Sequence, residues 1–382
     1  MTTKLTAEDL AQFRRDRVLV DPYLEWAEGE GVPVIEDFGV DLLACETRPW
    51  ARFGCGGAIV NLKGRGNYCS AFLFDLAPGG STAVQRHLYE DVYYVLSGHG
   101  STQVETRDGR THTFEWGPKS LFALPLNAPY RLFNGSGSEP ARLVSTNNAC
   151  MVLNLYHDED FVFENDEWFT EREAVDSWFS GDGKMTAIRP GRVLWDTNFV
   201  ADLSGFELKP WEARGAGSGN MQFILADGSI GAHVSEMPVG TYKKGHRHGP
   251  GLHIFIVHGA GYSLLWYEGD KDFVRVDWRH GMMFAPPNMM FHQHFDTSLD
   301  PARYLAVGLG SKRYPIVYAR RAGSENNRSD VSLKDGGRQI EYQDQDPRIH
   351  ALWLREIART GVQSKMGKFF DEDAILRKIP AE

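Results

Sequence analysis

Most of the chain consists of short runs of β-branched and aromatic residues that are separated by glycine, proline and asparagine. Typical runs are YCSAFLFDLA (68–77), DVYYVLSG (91–98), HIFIVHG (253–259) and ARYLAVGLG (302–310). Such runs favour β-strands, and many short strands joined by tight turns are typical of sandwiches and small barrels rather than of βαβ units. The pattern therefore predicts an all-β protein.

The sequence also repeats itself. The stretch PWARFGCGG begins at Pro49, and the similar stretch PWEARGAGS begins 161 residues later at Pro210. The same shift places Gly79 on Gly240, His87 on His248 and Gly98 on Gly259, and EPAR (139–142) on DPAR (300–303). Between these anchors, PLNAPYRLFN (125–134) matches PNMMFHQHFD (287–296) at a shift of 162. One shift that holds over such a length indicates two copies of one module.

The repeat predicts two tandem barrels, over residues 40–165 and 200–320, joined by a connector over 166–199. Residues 1–39 are predicted to form a helical extension, with Thr6 as a helix N-cap. Residues 321–382 are predicted to form a polar surface linker and then a helix between Asp346 and Gly361. One face of that helix carries the apolar residues Ile349, Leu352, Trp353 and Ile357. This face would cover a barrel or a neighbouring subunit, and together with exposed sheet edges it favours a homodimer or a higher even oligomer.

Composition narrows the class of protein. The 382 residues are 42% hydrophobic and 24% charged, with a formal net charge of −10, which is ordinary for a globular protein and unfavourable for nucleic-acid binding. No apolar run approaches the roughly 20 residues that span a bilayer, so no membrane association is expected. The four cysteines have neither CxxC spacing nor a dense framework, which favours free thiols in a reduced, cytoplasmic protein.

The stretch GHRHGPGLHIFIVHGAG (245–261) places His246 and His248 one residue apart, in front of an apolar run. Residues i and i+2 of a strand point to the same face, so the two imidazoles could bind one metal ion. Two histidines alone are a weak signal, and a third ligand would have to come from another part of the chain.

Such a ligand is found in a pattern that resembles the two motifs of the cupin superfamily. The first motif, G(x)5HxH(x)3–4E(x)6G, is matched by Gly240, His246, His248 and Gly259, with Leu252 in place of the glutamate. The second, G(x)5PxG(x)2H(x)3N, is matched by Gly281, Pro287 and His292, with Met289 in place of the glycine and Asp296 in place of the asparagine. The resemblance implies two tandem cupin barrels and a metal site formed by His246, His248 and His292.

The first copy keeps the framework of the motifs but not their ligands. Gln85 stands in place of the first histidine, His87 is retained, Asp91 takes the glutamate position and Tyr130 replaces the third histidine. This set is more typical of a satisfied polar cluster than of a site for a divalent first-row metal. We expect the first barrel to be a structural half.

Other residues of the second copy are candidates for binding and catalysis. His253 could be a fourth ligand or contact the substrate, and His294, two residues after His292, could be a general base. An apolar substrate pocket is predicted to include Phe255, Tyr262, Trp266 and Met290. Arg303 could bind a carboxylate. Because Arg142 occupies the same place in the first copy, a structural salt bridge is the alternative for both arginines.

Three neutral imidazoles without a carboxylate leave open positions on a cationic metal, which suits a chelating anion. The layout resembles the gentisate- and salicylate-type three-histidine iron dioxygenases, and this implies Fe(II), with O2 and a small aromatic hydroxy acid as substrates and ring cleavage as the reaction. Mn, Zn, Ni and Cu are the other candidate metals. That family usually carries its working metal in the N-terminal barrel, whereas the ligands here are in the C-terminal one. Two alternatives stay open: a redox-neutral metal-dependent lyase, decarboxylase or isomerase, and a metal-binding protein without turnover.

Overall fold

The computed structural model describes residues 6–64, 68–172, 177–189, 192–249, 251–316 and 329–380. Strands dominate this part of the chain and form two large sheets and two three-stranded sheets. The prediction of an all-β chain with two tandem barrels and terminal helices is confirmed. Among the described residues, no helix has the length and apolar character needed to cross a membrane.

The first barrel is built mainly from the N-terminal half of the chain. Its strands are β1 (Val34–Ile35), β3 (Arg48–Trp50), β4 (Cys55–Val60), β5 (Ser70–Leu76), β6 (Asp91–Ser97), β7 (Gly100–Glu105), β8 (Thr111–Trp116), β9 (Leu121–Ala123), β10 (Tyr130–Asn134) and β11 (Ala141–Asn147). Strand β2 (Gly39–Asp41) comes between β1 and β3 along the chain. The large sheet runs β1-β4-β5-β11-β6-β9, with β3 beside β4, and the small sheet runs β10-β7-β8.

The second barrel repeats this plan. Its strands are β12 (Lys184–Arg189), β13 (Arg192–Thr197), β15 (Lys209–Pro210), β16 (Gly219–Leu225), β17 (Ile230–Met237), β18 (His253–His258), β19 (Ala260–Trp266), β20 (Val274–Arg279), β21 (Met282–Phe284), β22 (Phe291–Asp296) and β23 (Ala302–Leu309), with β14 (Phe199–Val200) after β13. The large sheet runs β12-β13-β16-β17-β23-β18-β21, with β15 beside β16, and the small sheet runs β20-β19-β22. Residues 166–199, predicted to be a connector, therefore contain two strands of this barrel.

Each barrel donates one short strand to the other. β2, from the N-terminal part of the chain, pairs with β21 of the second barrel, and β14 pairs with β9 of the first. The faces of the two large sheets that point towards each other share one apolar core. In this core, Leu73 and Val144 of the first barrel join Phe223 and Leu305 of the second. Burying a side chain of this size contributes about 1.5–3 kcal/mol, so this core fixes the two barrels against each other.

The repeat seen in the sequence is a repeat of structure. Strands β6, β7, β10 and β11 correspond to β18, β19, β22 and β23 at the shifts found in the sequence. Gly98 and Gly259 end the first strand of each set with φ of +81° and +82°. A Cβ at either position would lie 2.6 or 2.7 Å from the Cα of Ala141 or Ala302 on the paired strand. The same turn therefore requires glycine in both copies.

The described residues also form six helices, which lie mostly outside the barrels. They are α1 (Ala7–Arg15), α2 (Pro22–Gly29), α3 (Ala149–Tyr156), α4 (Glu159–Phe163), α5 (Pro347–Thr360) and α6 (Glu372–Lys378), together with 3-10 turns at Thr170–Arg172, Leu333–Asp335 and Tyr342–Asp344. α1 begins at the predicted cap Thr6, and α5 lies between Asp346 and Gly361 as predicted. The apolar face of α5 packs on its own second barrel, where Trp353 Nε1 donates to the carbonyl of Asp296 at 2.8 Å.

The segment before α5 differs from the predicted surface linker. Residues 317–328 lie outside the described part of the chain, but residues 329–345 cover one end of the second barrel. Gln339 is buried and forms an antiparallel bridge with His246, and the amide of Arg247 donates to the carbonyl of Arg338 at 3.0 Å. Polar composition alone suggested exposure, whereas the backbone of this segment pairs with the chain beside the histidines.

Candidate metal centre

The three histidines predicted to bind metal are brought together at one end of the second barrel. His246 lies in the segment before β18 and pairs its backbone with His292 on β22, through hydrogen bonds of 3.0 and 2.8 Å. His248 follows two residues later and therefore lies on the same face as His246. The ring centroids of His246 and His248 lie 4.2 and 4.7 Å from that of His292. One ligand atom from each of the three residues lies within 4.8 Å of the other two.

Backbone carbonyls orient two of the rings. His246 Nδ1 lies 3.2 Å from the carbonyl of Lys244, and His292 Nδ1 lies 3.1 Å from that of Met290. A carbonyl only accepts, so in both rings Nδ1 carries the hydrogen and Nε2 keeps its lone pair. These are the tautomers that a metal bound at Nε2 requires, and carbonyls behind ligand histidines typically fix them in this way.

Burial keeps these imidazoles neutral. It is the main cause that lowers the pKa of His246 and His248 well below the ordinary value of about 6.5. It also lowers the pKa of His292 to about 4. The neighbouring imidazoles and the guanidinium of Arg214 act in the same direction on His246 and His248. The rings are therefore ready to bind a cation at neutral pH, and protons compete for them only well below pH 6.5.

A cavity of about 110 Å³ opens beside the three histidines. Two arginines and a lysine line it, Arg192, Arg214 and Lys312, together with the rings of Trp211 and Tyr304. Leu252, which replaces the glutamate of the motif, also lines it, and no aspartate or glutamate does so among the residues that the structure describes. The cavity thus combines imidazoles with positive charge.

Trp211 holds the two arginines in place. The guanidinium carbons of Arg192 and Arg214 lie 4.1 and 4.9 Å from the indole ring, and Arg214 also donates to the carbonyl and hydroxyl of Ser329. Neither arginine was predicted from the sequence to belong to the site. A signal did exist for Arg214, because the shift of 161 pairs it with Phe53, so a buried apolar position of the first copy became cationic in the second.

His294, two residues after His292 on β22, also lines the cavity. Its ring centroid lies 5.5 Å from that of His292 and 5.2 Å from that of Tyr304. Its Nδ1 lies 2.7 Å from the hydroxyl of Ser263, which accepts from Trp278 Nε1 at 2.9 Å. With Trp278 donating to this oxygen, the hydroxyl can donate its hydrogen to Nδ1, and in that arrangement a neutral His294 carries its ring hydrogen on Nε2.

The residues predicted to bind substrate lie elsewhere. His253 and Phe255 face the first barrel. There, His253 Nδ1 lies 3.0 Å from Thr146 Oγ1, and the ring centroids of Phe255 and Tyr94 are 5.7 Å apart. Tyr262 and Trp266 face the opposite way, in the core beneath α5. Met290 contributes its carbonyl to His292 but is absent from the described lining of the cavity. The predicted apolar pocket is therefore corrected, because these side chains fill cores on the other faces of their strands.

Arg303 makes the structural salt bridge that was the alternative to carboxylate binding. Its Nε donates to Glu236 at 2.8 Å, and its Nη1 donates to the carbonyls of Leu203 and Phe206. Arg142 makes the matching contacts in the first barrel, to Asp75 and to the carbonyls of residues 42, 43 and 45. Both arginines thus tie a loop to the final strand of their barrel.

This role predicts a loss of stability without a loss of binding. Replacing Arg303 with methionine should lower the free energy of unfolding by roughly 1–3 kcal/mol, because Glu236 and two carbonyls lose the guanidinium that binds them. Arg142→Met should have a similar effect, and urea titration followed by circular dichroism would measure both. Weaker anion binding in Arg303→Met at unchanged stability would restore the carboxylate-binding role.

The corresponding place in the first barrel is closed by a polar network. His87 Nε2 lies 3.0 Å from the hydroxyl of Tyr130 and 3.1 Å from Asp91 Oδ2, and the hydroxyls of Tyr130 and Tyr93 are 2.6 Å apart. Gln85 turns away and donates to the carbonyls of residues 52 and 83. The tyrosine hydroxyl therefore lies where His292 lies in the second barrel, and it forms one network with His87, Tyr93 and Asp91 Oδ2.

No protein-family model matches the chain, and no curated protein matches it. Solved structures do match, at low identity. Oxalate decarboxylase of Lactobacillus farciminis, in a complex with formate, is 12% identical over 91% of this chain and 97% of its own, with a TM-score of 0.48. A variant of Bacillus subtilis oxalate decarboxylase is 13% identical over 81% and 85%, with a TM-score of 0.46. Vicilin of Corylus avellana (hazelnut) is 11% identical over 71% and 85%, with a TM-score of 0.45.

These matches correct one prediction. They are oxalate decarboxylases and a vicilin rather than ring-cleaving dioxygenases, and the assignment to the ring-cleaving oxidoreductases is wrong. The cavity lining agrees with the correction, since the aromatic residues predicted to form its wall are turned away from it. The sheet topology and the repeated strands and motifs all indicate two barrels of the same plan. The chain has the two-domain fold of the cupin superfamily, with its histidine cluster in the second barrel.

Proposed function

We propose that the protein is a redox-neutral, metal-dependent enzyme of the lyase, decarboxylase or isomerase kind that acts on a small carboxylate. The observation that carries this proposal is the cavity, in which three convergent neutral imidazoles face cationic side chains and no described carboxylate. A site of this charge attracts anions, and its volume suits a substrate of a few non-hydrogen atoms.

The residues present fit a divalent first-row metal. His246, His248 and His292 offer three imidazole donors, and the carbonyls behind two of them fix the required tautomer. When bound, such a metal would supply Lewis-acid polarisation of a substrate oxygen. With Leu252 in place of the glutamate, the protein adds no negative charge here. Mn, Zn, Ni, Cu and Fe(II) are all compatible with this donor set, and metal analysis would distinguish them.

The arginines would hold the part of the substrate that lies away from the histidines. Arg192 and Arg214 are buried against Trp211, so their guanidinium groups are already ordered before a ligand binds. Preordered side chains lose little conformational entropy when they bind a carboxylate, and a guanidinium can donate two parallel hydrogen bonds to it.

His294 would act as a hydrogen-bond donor at the same cavity. With Nδ1 accepting from Ser263 Oγ, the ring hydrogen would lie on Nε2 and could bind an anionic group. This arrangement favours stabilising negative charge over the predicted role of general base. His294→Phe should therefore slow turnover about a hundredfold, which is the contribution typical of a positioned proton donor or acceptor. Metal content should not change, and a His294→Phe protein with normal turnover would remove His294 from the reaction.

The experiment that tests the proposed function is an anaerobic reaction. Protein loaded with each candidate metal would be mixed with oxalate, malonate and small keto and hydroxy acids, and the products followed by NMR. We expect at least one carboxylate to be converted without O2, and conversion to require His292. Conversion that needs O2 would contradict the proposal. Tight binding of metal and anion without conversion would instead support the alternative of a metal-binding protein without turnover.

A homodimer or higher even oligomer stays part of the proposal. The apolar face of α5 packs on the second barrel of its own chain, so it does not favour assembly. The exposed edges of the sheets are the feature that still favours an oligomer. Light scattering at micromolar concentration would measure the assembly, and a monomer would contradict this part.

A further inference from the structure

Lys243 is fully buried three residues before His246. Among the residues that the structure describes, its Nζ has no hydrogen-bond partner and no carboxylate within salt-bridge distance. Two aromatic rings are its neighbours, with centroids 4.9 Å away for Tyr304 and 5.9 Å away for Trp211. An unpaired ammonium group would be costly in such a place, because a buried charge needs a partner.

The charged and titratable groups around Lys243 come from five different elements. They are Arg192 on β13, Arg214 after β15, His233 on β17, His294 on β22 and Tyr304 on β23. None of these groups is acidic at neutral pH. Burial first, and then the positive charges of Arg214 and Arg192, lower the pKa of Lys243 well below its ordinary value. In the free protein, the surroundings therefore favour the neutral amine.

The two rings beside this amine also belong to the proposed substrate cavity. Trp211 and Tyr304 both line the cavity, and both lie next to the Lys243 amine. An anion in the cavity would offset the positive charges of the arginines. The faces of the two rings would then stabilise an ammonium group through cation–π attraction. In the first barrel, the shift of 161 puts Thr82 at this position, so the lysine belongs only to the half that has the cavity.

We propose that Lys243 is neutral in the free protein and takes up one proton from solvent when a dianion enters the cavity. The added charge would make the cavity select dianions over monoanions, so Lys243 determines specificity without touching the substrate. This inference rests on the proposed function only in that the cavity must bind a small carboxylate. No covalent step is involved, and the proton returns to solvent when the anion leaves.

Isothermal titration calorimetry tests the inference directly. Metal-loaded protein would be titrated with oxalate as the dianion and with formate as the monoanion. Running each titration at pH 7.5 in two buffers of different ionisation enthalpy gives the number of protons taken up. We expect about one proton per oxalate in the wild type and none in Lys243→Met, whose oxalate affinity should fall at least tenfold. Formate affinity should change by less than threefold.

Lys244→Met is the matched control, because Lys244 is the next residue but forms a salt bridge with Glu341 at 2.6 Å. It should take up protons as the wild type does. Equal proton uptake in Lys243→Met and the wild type would overturn the inference, and so would oxalate binding to the wild type with no proton uptake. Absence of any oxalate binding would count against the proposed function instead.

A second measurement, made without a ligand, tests whether Lys243 is neutral in the free protein. The unfolded chain binds a proton at Lys243 below about pH 10.5, whereas the folded free protein does not. The wild type should therefore lose stability relative to Lys243→Met as pH falls from about 10.5 towards neutral. Lys243→Met should melt at a higher temperature than the wild type at pH 7.5. A lower melting temperature of Lys243→Met, or a variant that fails to fold, would count against a neutral Lys243 in the free protein.

Discussion

Alanine at His246, His248 or His292 is expected to abolish metal binding, so that purified protein falls from about one ion per chain to almost none. The three side chains converge on one point, and among the residues that the structure describes no carboxylate lines the cavity beside them. Removing an orienting group behind a ligand typically costs roughly 10–100-fold in metal affinity, and removing the ligand itself should cost more. Elemental analysis after dialysis against a weak chelator would measure the effect.

The first barrel supplies the matched control. Gln85 corresponds to His246 through the shift of 161, and Tyr130 corresponds to His292. Gln85→Ala and Tyr130→Phe should therefore leave metal content unchanged, although both alter buried hydrogen bonds. If a first-barrel variant lost metal while His292→Ala retained it, the metal would have been assigned to the wrong half of the chain.

Leu252→Glu is expected to weaken oxalate binding about a hundredfold while the metal stays bound. Leu252 lines the cavity beside the histidines, at the position where the cupin motif has a glutamate. A new carboxylate at about 5 Å from a bound anion, at an effective dielectric constant of about 20, costs on the order of 3 kcal/mol. Titration calorimetry with oxalate would measure the change in affinity.

Leu252→Gln separates charge from shape, because glutamine has nearly the same size as glutamate and no charge. It should weaken oxalate binding much less than Leu252→Glu does. Equal losses in the two variants would mean that the leucine acts through packing, for example against Gly308, where an added Cβ would lie 2.5 Å from Leu252 Cδ2. Tighter oxalate binding in Leu252→Glu would contradict a cavity that binds anions by charge.

The parts of the site that sequence could predict are those fixed by spacing along the chain. The alternation of a strand places His246 with His248 and His292 with His294, and the repeat shows where the glutamate was replaced by Leu252. Caps and apolar periodicity likewise located α5, since both depend on nearby residues.

Alternation also explains why Tyr262 and Trp266 were wrongly predicted to line the substrate cavity. It shows that Tyr262 and Trp266 share a face of β19, but not which face lines the cavity. Ser263, between them, is the residue that reaches His294, while the aromatic face packs beneath α5. In a barrel covered by a helix and by a second barrel, both faces of a strand are apolar, so hydrophobicity does not distinguish inside from outside.

The cationic wall of the cavity could not be predicted because its members come from distant parts of the chain. Arg192 lies on β13, in a stretch predicted to be a connector, and Arg214 lies in a turn. Trp211 brings the two together through ring contacts that no local pattern encodes. A comparison of the two copies, position by position, does mark Arg214 and Lys243, since the first copy has Phe53 and Thr82 there.

Anomalous X-ray diffraction from crystals of the metal-bound protein would test the central claim most directly, since it locates metal ions without reference to any assay. One strong peak per chain is expected in the second barrel, about 2.0–2.2 Å from one ring nitrogen each of His246, His248 and His292. The first barrel should show none, because the hydroxyl of Tyr130 lies there against His87. A peak in the first barrel, or none at the three histidines in protein shown to contain metal, would contradict the account.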